Sequence, residues 1–308
     1  MDNKVSFVLP AFKIKFLYEA IRSILSQDYH NIELIILNDA SPDPIKNLIE
    51  SFDDKRIKYF ENQENIGGKD LVANWNKALS LATGEFVTLA SDDDVYSSNY
   101  ATEMVKLFEK YPQSNLAHSR VQIIDSEDRI KLLSQNISEF ESCMDFVYHR
   151  LIFNRKQMAP DFMFRRSAIQ EIGGFVKFPV AWYSDDATWN ALAVKGVLYS
   201  QKTFLKFRMS GENISTSDKN VNQKIDALLQ YKEWLRTFIS NYNVYSVEDA
   251  FLQKYCLDNI DSILNSHVYF YLPYLKGTEL LKRVCCLIKD KVISRKSALK
   301  FILKHHFC

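Results

Sequence analysis

The sequence has no apolar run long enough to cross a bilayer, which takes about 20 residues. Its longest candidate, from Ile263 to Leu275, is broken by Asn265, Ser266, His267 and Pro273. No signal-peptide core precedes the first strand-like segment, because Met1-Asp2-Asn3-Lys4 runs straight into it. The five cysteines are odd in number and lack zinc-ligand spacing. A reduced, cytoplasmic protein is therefore the expectation. Neither G-x-G-x-x-G nor G-x-x-x-x-G-K-[ST] occurs, which argues against a dinucleotide-dependent dehydrogenase and against a P-loop enzyme. Neither sign of charge is in excess, the formal net charge being +1. Nothing in that balance points to nucleic acid, and none is expected as a partner.

What is present is a long α/β pattern in a chain of 308 residues, enough for one sizeable core or for one domain with an appendage. Val5 to Leu9 is an apolar strand stopped by Pro10, and Leu17, Ala20, Ile21, Ile24 and Leu25 lie on one face of a helix predicted from Phe16 to Ser26. Glu33 to Leu37 repeats the strand and ends in Asn38-Asp39-Ala40-Ser41, with Pro44 placed to open a second helix. A third strand around Ile57 to Phe60 leads into the polar turn Asn65-Ile66-Gly67-Gly68-Lys69. A helix from Asp70 to Ala82 follows, closed by Thr83-Gly84. Strand–helix alternation with polar strand ends predicts a mostly parallel sheet flanked by helices, with its ligand along the carboxyl edge. The segment from Asp125 to Pro160 reads as a turn and then as less regular chain. From about Asn222 the pattern is almost wholly helical.

The strand beginning at Glu85 ends in Ser91-Asp92-Asp93-Asp94. Two like charges about 5 Å apart repel by roughly 3 kcal/mol at an effective dielectric of about 20, so the cluster needs water or a cation. Mg²⁺ or Mn²⁺ suits such hard oxygens together with substrate phosphates. The plainer alternative is an acidic turn beside the positive end of the next helix. A second carboxylate pair, Asp185-Asp186, stands at the start of the helix carrying Trp189.

In order and spacing these features resemble the family 2 glycosyltransferases of the glycosyltransferase-A fold. The resemblance runs from Lys4 to Ser217 through Val8-Leu9-Pro10-Ala11-Phe12, Asn38-Asp39-Ala40-Ser41, Asn65-Ile66-Gly67 and Asn74-Trp75-Asn76. It continues through Asp92-Asp93-Asp94, Gly173-Gly174-Phe175, Ser184-Asp185-Asp186 and Phe207-Arg208. It implies a catalytic domain over 1–217 with a helical region over 218–308, and inverting transfer of a sugar from a nucleotide diphosphate to an acceptor hydroxyl. It also implies Pro10, Ala11 and Phe12 against the nucleoside and Asp39 on the base. A carboxylate can accept from an imide N–H, which favours UDP; the alternative for Asp39 is an Asx turn before Pro42. Asn65, Lys69, Asn76, Asp92 and Arg208 would line the donor site, Lys69 and Arg208 being otherwise solvated surface cations. Asn74 and Asn76 do not share a helix face, so at most one should enter the cleft. Asp93, or alternatively Asp94, would bind Mn²⁺ or Mg²⁺. Asp186 would be the base that deprotonates the acceptor, with N-capping as the plainer use of the Asp185-Asp186 pair. Trp182 and Tyr183 could stack on an acceptor sugar or be cleft wall.

No Q-x-x-R-W follows the second acidic pair, so the processive polymer synthases are a poor guide. Between Lys282 and Lys304 eight Lys or Arg residues face the single acid Asp290. Such a basic amphipathic segment either lies on the inner face of a membrane or packs on the domain with a solvated basic face. The expected partners are a nucleotide sugar and a glycan or lipid-linked glycan acceptor in bacterial surface polysaccharide assembly. Two other classes fit part of the pattern: a non-catalytic nucleotide- or carbohydrate-binding protein, and a sugar-nucleotide pyrophosphorylase. The latter would need a glycine-rich, arginine-bearing first loop where this chain has Pro10-Ala11-Phe12-Lys13.

Overall fold

Apolar segments whose successive residues point to opposite sides form the centre of the molecule. The computed structural model describes residues 3–211 and 219–306. Its first half alternates strand and helix: β1 (Val5–Ala11), α1 (Leu17–Leu25), β2 (Ile32–Asn38), α2 (Ile45–Glu50), β3 (Ile57–Glu61), α3 (Leu71–Ser80) and β4 (Phe86–Leu89). Phe7, Leu9, Leu34, Ile36 and Phe86 pack to one side with Leu17 and Ile21 of α1 and Ile45 of α2. Val8, Ile35, Leu37, Val87 and Leu89 pack to the other with Val72 and Ala78 of α3. Because both faces are covered, these strands read as continuous apolar runs.

The second half adds β5 (Val95–Tyr96), α4 (Tyr100–Lys110), β6 (Leu116–Asp125), β7 (Ile130–Leu133), β8 (Phe140–Glu141), α5 (Cys143–Leu151), β9 (Phe162–Arg165), α6 (Arg166–Glu171), α7 (Ser184–Leu192) and β10 (Val197–Met209). The sheet order is β3-β2-β1-β4-β9-β6-β10-β5, with β7 beside β6 and β8 beside β10. β1 is parallel to β2 and β4, and β6 is parallel to β10. Only β9 interrupts that direction in the middle, running against both β4 and β6. The sheet is mostly parallel and flanked by helices, as the alternation predicts.

Four helices close the chain: α8 (Val221–Asn241), α9 (Val247–Tyr271), α10 (Gly277–Lys289) and α11 (Arg295–His306). The division expected at 217/218 lies outside the described residues. On either side of it the core is shared, with Tyr231 and Ile260 in one cluster with Phe164 and Trp189. No described helix is long and apolar enough to cross a membrane.

Two stretches depart from the sequence reading. The segment expected to be less regular holds β7, β8 and α5, the last started by Ser142 Oγ accepting from Asp145 N–H at 3.1 Å. β10 was not foreseen, because its register on β6 shifts between Ser200 and Phe204 and disrupts the period-2 pattern.

Candidate active site

The carboxyl ends of β1, β2 and β4 meet because Ala11 pairs with Asn38 and Val8 pairs with Leu89. Three groups of functional side chains are built around that edge.

The first group is the turn after β4. Asp92 Oδ2 accepts from the N–H of Phe12 (3.0 Å) and of Lys13 (2.8 Å), so this carboxylate holds the loop after β1. Lys13 Nζ stands 3.7 Å from Asp92 and 3.5 Å from Asp93, partly answering their mutual repulsion. Asp93 also accepts from Ser91 Oγ at 2.6 Å and Ser210 Oγ at 3.4 Å. Asp94 is sealed: Oδ1 accepts from Arg208 N–H at 2.8 Å, while its buried Oδ2 has no hydrogen-bond partner. Burial, then the neighbouring Asp93 charge, drive its carboxyl well above the usual range.

These contacts fit Asp93 as a single protein ligand to a divalent cation, with hydroxyls beside it and phosphate oxygens completing the shell. Among the described residues no group of three His, Cys, Asp or Glu side chains stands ready to hold a metal. Asp94, the expected alternative ligand, is fully buried beside Asp93.

Arg208 is not the surface cation that the alternative reading allowed. It is 1% exposed, stacked over Phe16 at 4.2 Å from the ring centroid. Its Nε donates to Asp93 O (3.0 Å), one Nη to Asp128 (2.7 Å) and the other to Glu19 (2.8 Å). The guanidinium therefore ties the acidic turn from behind.

The second group surrounds Asp39. One of its oxygens accepts from Asn62 Nδ2 (2.6 Å) and Ile66 N–H (2.8 Å), the other from Gly67 N–H (2.7 Å). A Cβ on Gly67 would lie 2.8 Å from that second oxygen, so only glycine permits the approach. Asn38 beside it holds the following turn, its Oδ1 accepting from Ser41 N–H three residues on at 3.0 Å. Pro10 and Ala11 end β1 beside this group, Phe12 stands exposed at its mouth, and Asn65 Oδ1 folds back on Gly68 N–H.

Of the two α3 asparagines, Asn74 joins this group through Asn62 (3.0 Å). Asn76, the residue expected at the donor, instead accepts from Phe175 N–H at 2.9 Å. It packs so close to Gly174, where φ is +99°, that a Cβ there would meet it at 2.5 Å. Lys69 is solvent-exposed and paired with Glu64 at 2.6 Å.

The third group opens α7. Thr188 Oγ1 and Ser184 Oγ accept from the N–H of Val176 (2.9 Å) and Phe178 (3.0 Å), so the segment held by Asn76 fixes α7 against α3. Val180, Ala181 and Tyr183 all have positive φ, strain that persists only where surrounding structure imposes it. Neither Asp185 nor Asp186 caps the helix; Tyr183 occupies that position and both acids lie in the first turn.

Asp186, the expected base, is gripped by Arg150 of α5, Nε to Oδ1 at 2.6 Å and Nη2 to Oδ2 at 3.0 Å. Both Asp186 oxygens are thus engaged by the guanidinium. Asp185 is only partly buried, and burial followed by the Asp186 charge pushes it up to about 7. Trp182 and Tyr183 hydrogen-bond to Tyr271 of α9, at 2.7 and 3.3 Å, and Tyr183 stacks on Tyr231 at 4.7 Å. They form a wall between the sheet domain and the C-terminal helices.

Sequence reasoning missed Arg150, which lies in the stretch read as irregular. It also passed over Lys13, whose only signal was its place directly after Phe12.

The sheet and its acidic carboxyl edge define an α/β protein of the glycosyltransferase-A type. Residues 6–173 match the family described as Glycosyl transferase family 2, and the chain belongs to it. The GalNAc(5)-diNAcBac-PP-undecaprenol beta-1,3-glucosyltransferase of Campylobacter jejuni is 41% identical over 112 residues, 35% of this chain and 36% of that one. The chain spans about a third or less of the length of the first curated relatives it matches. Among solved structures, S. aureus TarS 1-349 in complex with UDP-GlcNAc superposes with a TM-score of 0.67 at 16% identity, covering 98% of this chain and 81% of that one. The mannosyltransferase PcManGT from Pyrobaculum calidifontis, in complex with GDP-Man and Mn2+, gives 0.55 at 14% identity, covering 99% and 81%. Both share the fold.

Proposed function

We propose that this chain is an inverting glycosyltransferase that moves a sugar from UDP to an acceptor hydroxyl, working at the inner face of a bacterial membrane in surface polysaccharide assembly. We take residues 1–217 as its catalytic unit and 218–308 as the helical region beside the acceptor. The observation that carries the reading is the acidic turn Asp92 to Asp94 at the carboxyl edge of the sheet, where Asp92 holds the loop after β1; a second acidic pair, Asp185 and Asp186, opens α7. The TarS complexes with UDP and UDP-GlcNAc support the donor. The PP-undecaprenol in the name of the Campylobacter relative supports a lipid-linked glycan acceptor.

In this reading Pro10, Ala11 and Phe12 bound the nucleoside. Asp39 has used three of its roughly four acceptor positions on Asn62, Ile66 and Gly67, which leaves one for the uracil imide. Asp92 holds the loop after β1 near the ribose. Asp93 would hold Mn²⁺ or Mg²⁺, which when bound offsets the charge that grows on the departing diphosphate. Asp185 takes the proton from the acceptor oxygen as it attacks the anomeric carbon from the face opposite UDP. One displacement needs one base, and the anomeric configuration inverts. Asp186, clamped by Arg150, stands beside Asp185, and burial, then that neighbouring acid, raise the Asp185 carboxyl.

The test is a thermal-shift and product-formation panel of UDP-sugars with and without Mn²⁺. A UDP-sugar that raises Tm more with metal than without, and is consumed with acceptor, supports the reading. Indifference to every nucleotide sugar refutes it.

A further inference from the structure

The basic C-terminal segment resolves into a surface with two chemistries. Leu280, Val284 and Leu287 of α10 and Ala298 and Phe301 of α11 are buried against the protein, Phe301 meeting Tyr269 of α9 ring to ring. Arg283 is drawn inward to Asp226 of α8 at 2.6 Å. The helices are thus docked by their apolar sides, and what remains outside is a basic face.

On α11 that face is two adjacent stripes at four-residue spacing, Lys296-Lys300-Lys304 and Leu299-Leu303. On α10 Leu281 stands beside exposed Lys282. Leu281, Leu299 and Leu303 are 54%, 58% and 50% exposed. Residues 282–304 carry a formal charge of +7 within a chain of net +1, so the remainder carries −6.

We propose that the outward face of α10 and α11 docks on a bilayer containing anionic lipids. Lysines reach phosphate headgroups while leucines between them enter the acyl boundary, and the net-negative remainder of the chain is repelled from the same surface. Nucleic acid would satisfy the lysines but gives the exposed leucines nothing to enter. The inference extends the transferase reading without depending on it, because docking needs neither donor nor acceptor.

The experiment is co-sedimentation of the full chain with vesicles of phosphatidylcholine alone and of phosphatidylcholine mixed with phosphatidylglycerol. Binding is expected only to the anionic vesicles and should weaken as salt rises. The triple variant K296Q/K300Q/K304Q should partition about 100-fold less, and L299S/L303S about tenfold less. The charge-matched control K46Q/K55Q/K77Q, exposed on the sheet domain, should bind like the parent. Circular dichroism confirms that each variant is folded. Equal binding to neutral vesicles, no vesicle binding, an equal loss in the control, or binding to duplex DNA but not to vesicles each overturns the proposal.

Discussion

Arg150 and Asp186 form a bidentate ion pair, 2.6 and 3.0 Å, in the first turn of α7. The pair separates the roles of two adjacent acids. Asp186 is held through both oxygens by its partner, and Asp185 beside it is the acid we propose as the base.

The pair predicts opposite phenotypes for two neighbouring substitutions. Asp185→Asn should lower kcat by about 10² to 10⁴ with UDP affinity unchanged. Asp186→Asn should instead leave the Arg150 cation buried without its partner, at a cost of about 3–5 kcal/mol, seen as a large fall in Tm. Transfer assays and melting curves on both variants check this. A fully active Asp185→Asn enzyme would refute the assignment.

The choice between two adjacent acids shows what the sequence could convey. Its period and composition disclosed the strands from β1 to β4, their acidic carboxyl edge and the place of α7, since those depend on local pattern. The partner of each acid was hidden, because it comes from far along the chain: Arg150 reaches Asp186 from α5, and the Arg208 N–H reaches Asp94 from β10. The resemblance pointed to Asp186 as the base, and the Arg150 clamp on Asp186 is what moves our proposal to Asp185. Asn74 and Asn76 were likewise distinguishable as belonging to two faces, but which face meets Asp39 was decided by packing.

Asp185 also sets a pH dependence. Folded, its pKa is pushed up to about 7; unfolded, it lies near 3.9. Between these values the folded state holds a proton that the unfolded state has released, so stability declines as pH rises from about 4 to about 7 and is level above. Asp185→Asn should therefore show no Tm advantage near pH 4 and its full advantage by about pH 8. Transfer by the parent should run the other way, rising with pH to a plateau above about 7. Tm and kcat measured across that range give both limbs.

Asp93 and Asp94 should differ as sharply as Asp185 and Asp186. Asp94 is enclosed, with burial raising its carboxyl, and asparagine keeps both its size and an oxygen for the Arg208 N–H. Asp94→Asn should thus bind UDP with an unchanged metal effect. Asp93→Asn should bind UDP with the same affinity whether or not Mn²⁺ is present. Calorimetric titration of UDP with and without metal distinguishes them, and a lost metal effect in Asp94→Asn alone would return that residue to the ligand set.

Arg208 offers a test of how the acidic turn is held. Lysine keeps the charge but not the planar fork, so Arg208→Lys cannot serve Asp93 O, Asp128 and Glu19 at once. Each charged hydrogen bond lost costs about 1.5–3 kcal/mol where it is buried and less where the partner reaches solvent. Glu19 and Asp128 do reach solvent, so the tie to the Asp93 carbonyl should dominate the fall in Tm. Below that Tm the variant should keep its affinity for uridine and the metal-free advantage of UDP over uridine, because the guanidinium does not touch phosphate. The added gain from Mn²⁺ should shrink, because the turn bearing Asp93 is no longer fixed. If the UDP-over-uridine advantage vanished without metal, Arg208 would be a diphosphate ligand after all, swinging free of Glu19 and Asp128 when the donor arrives.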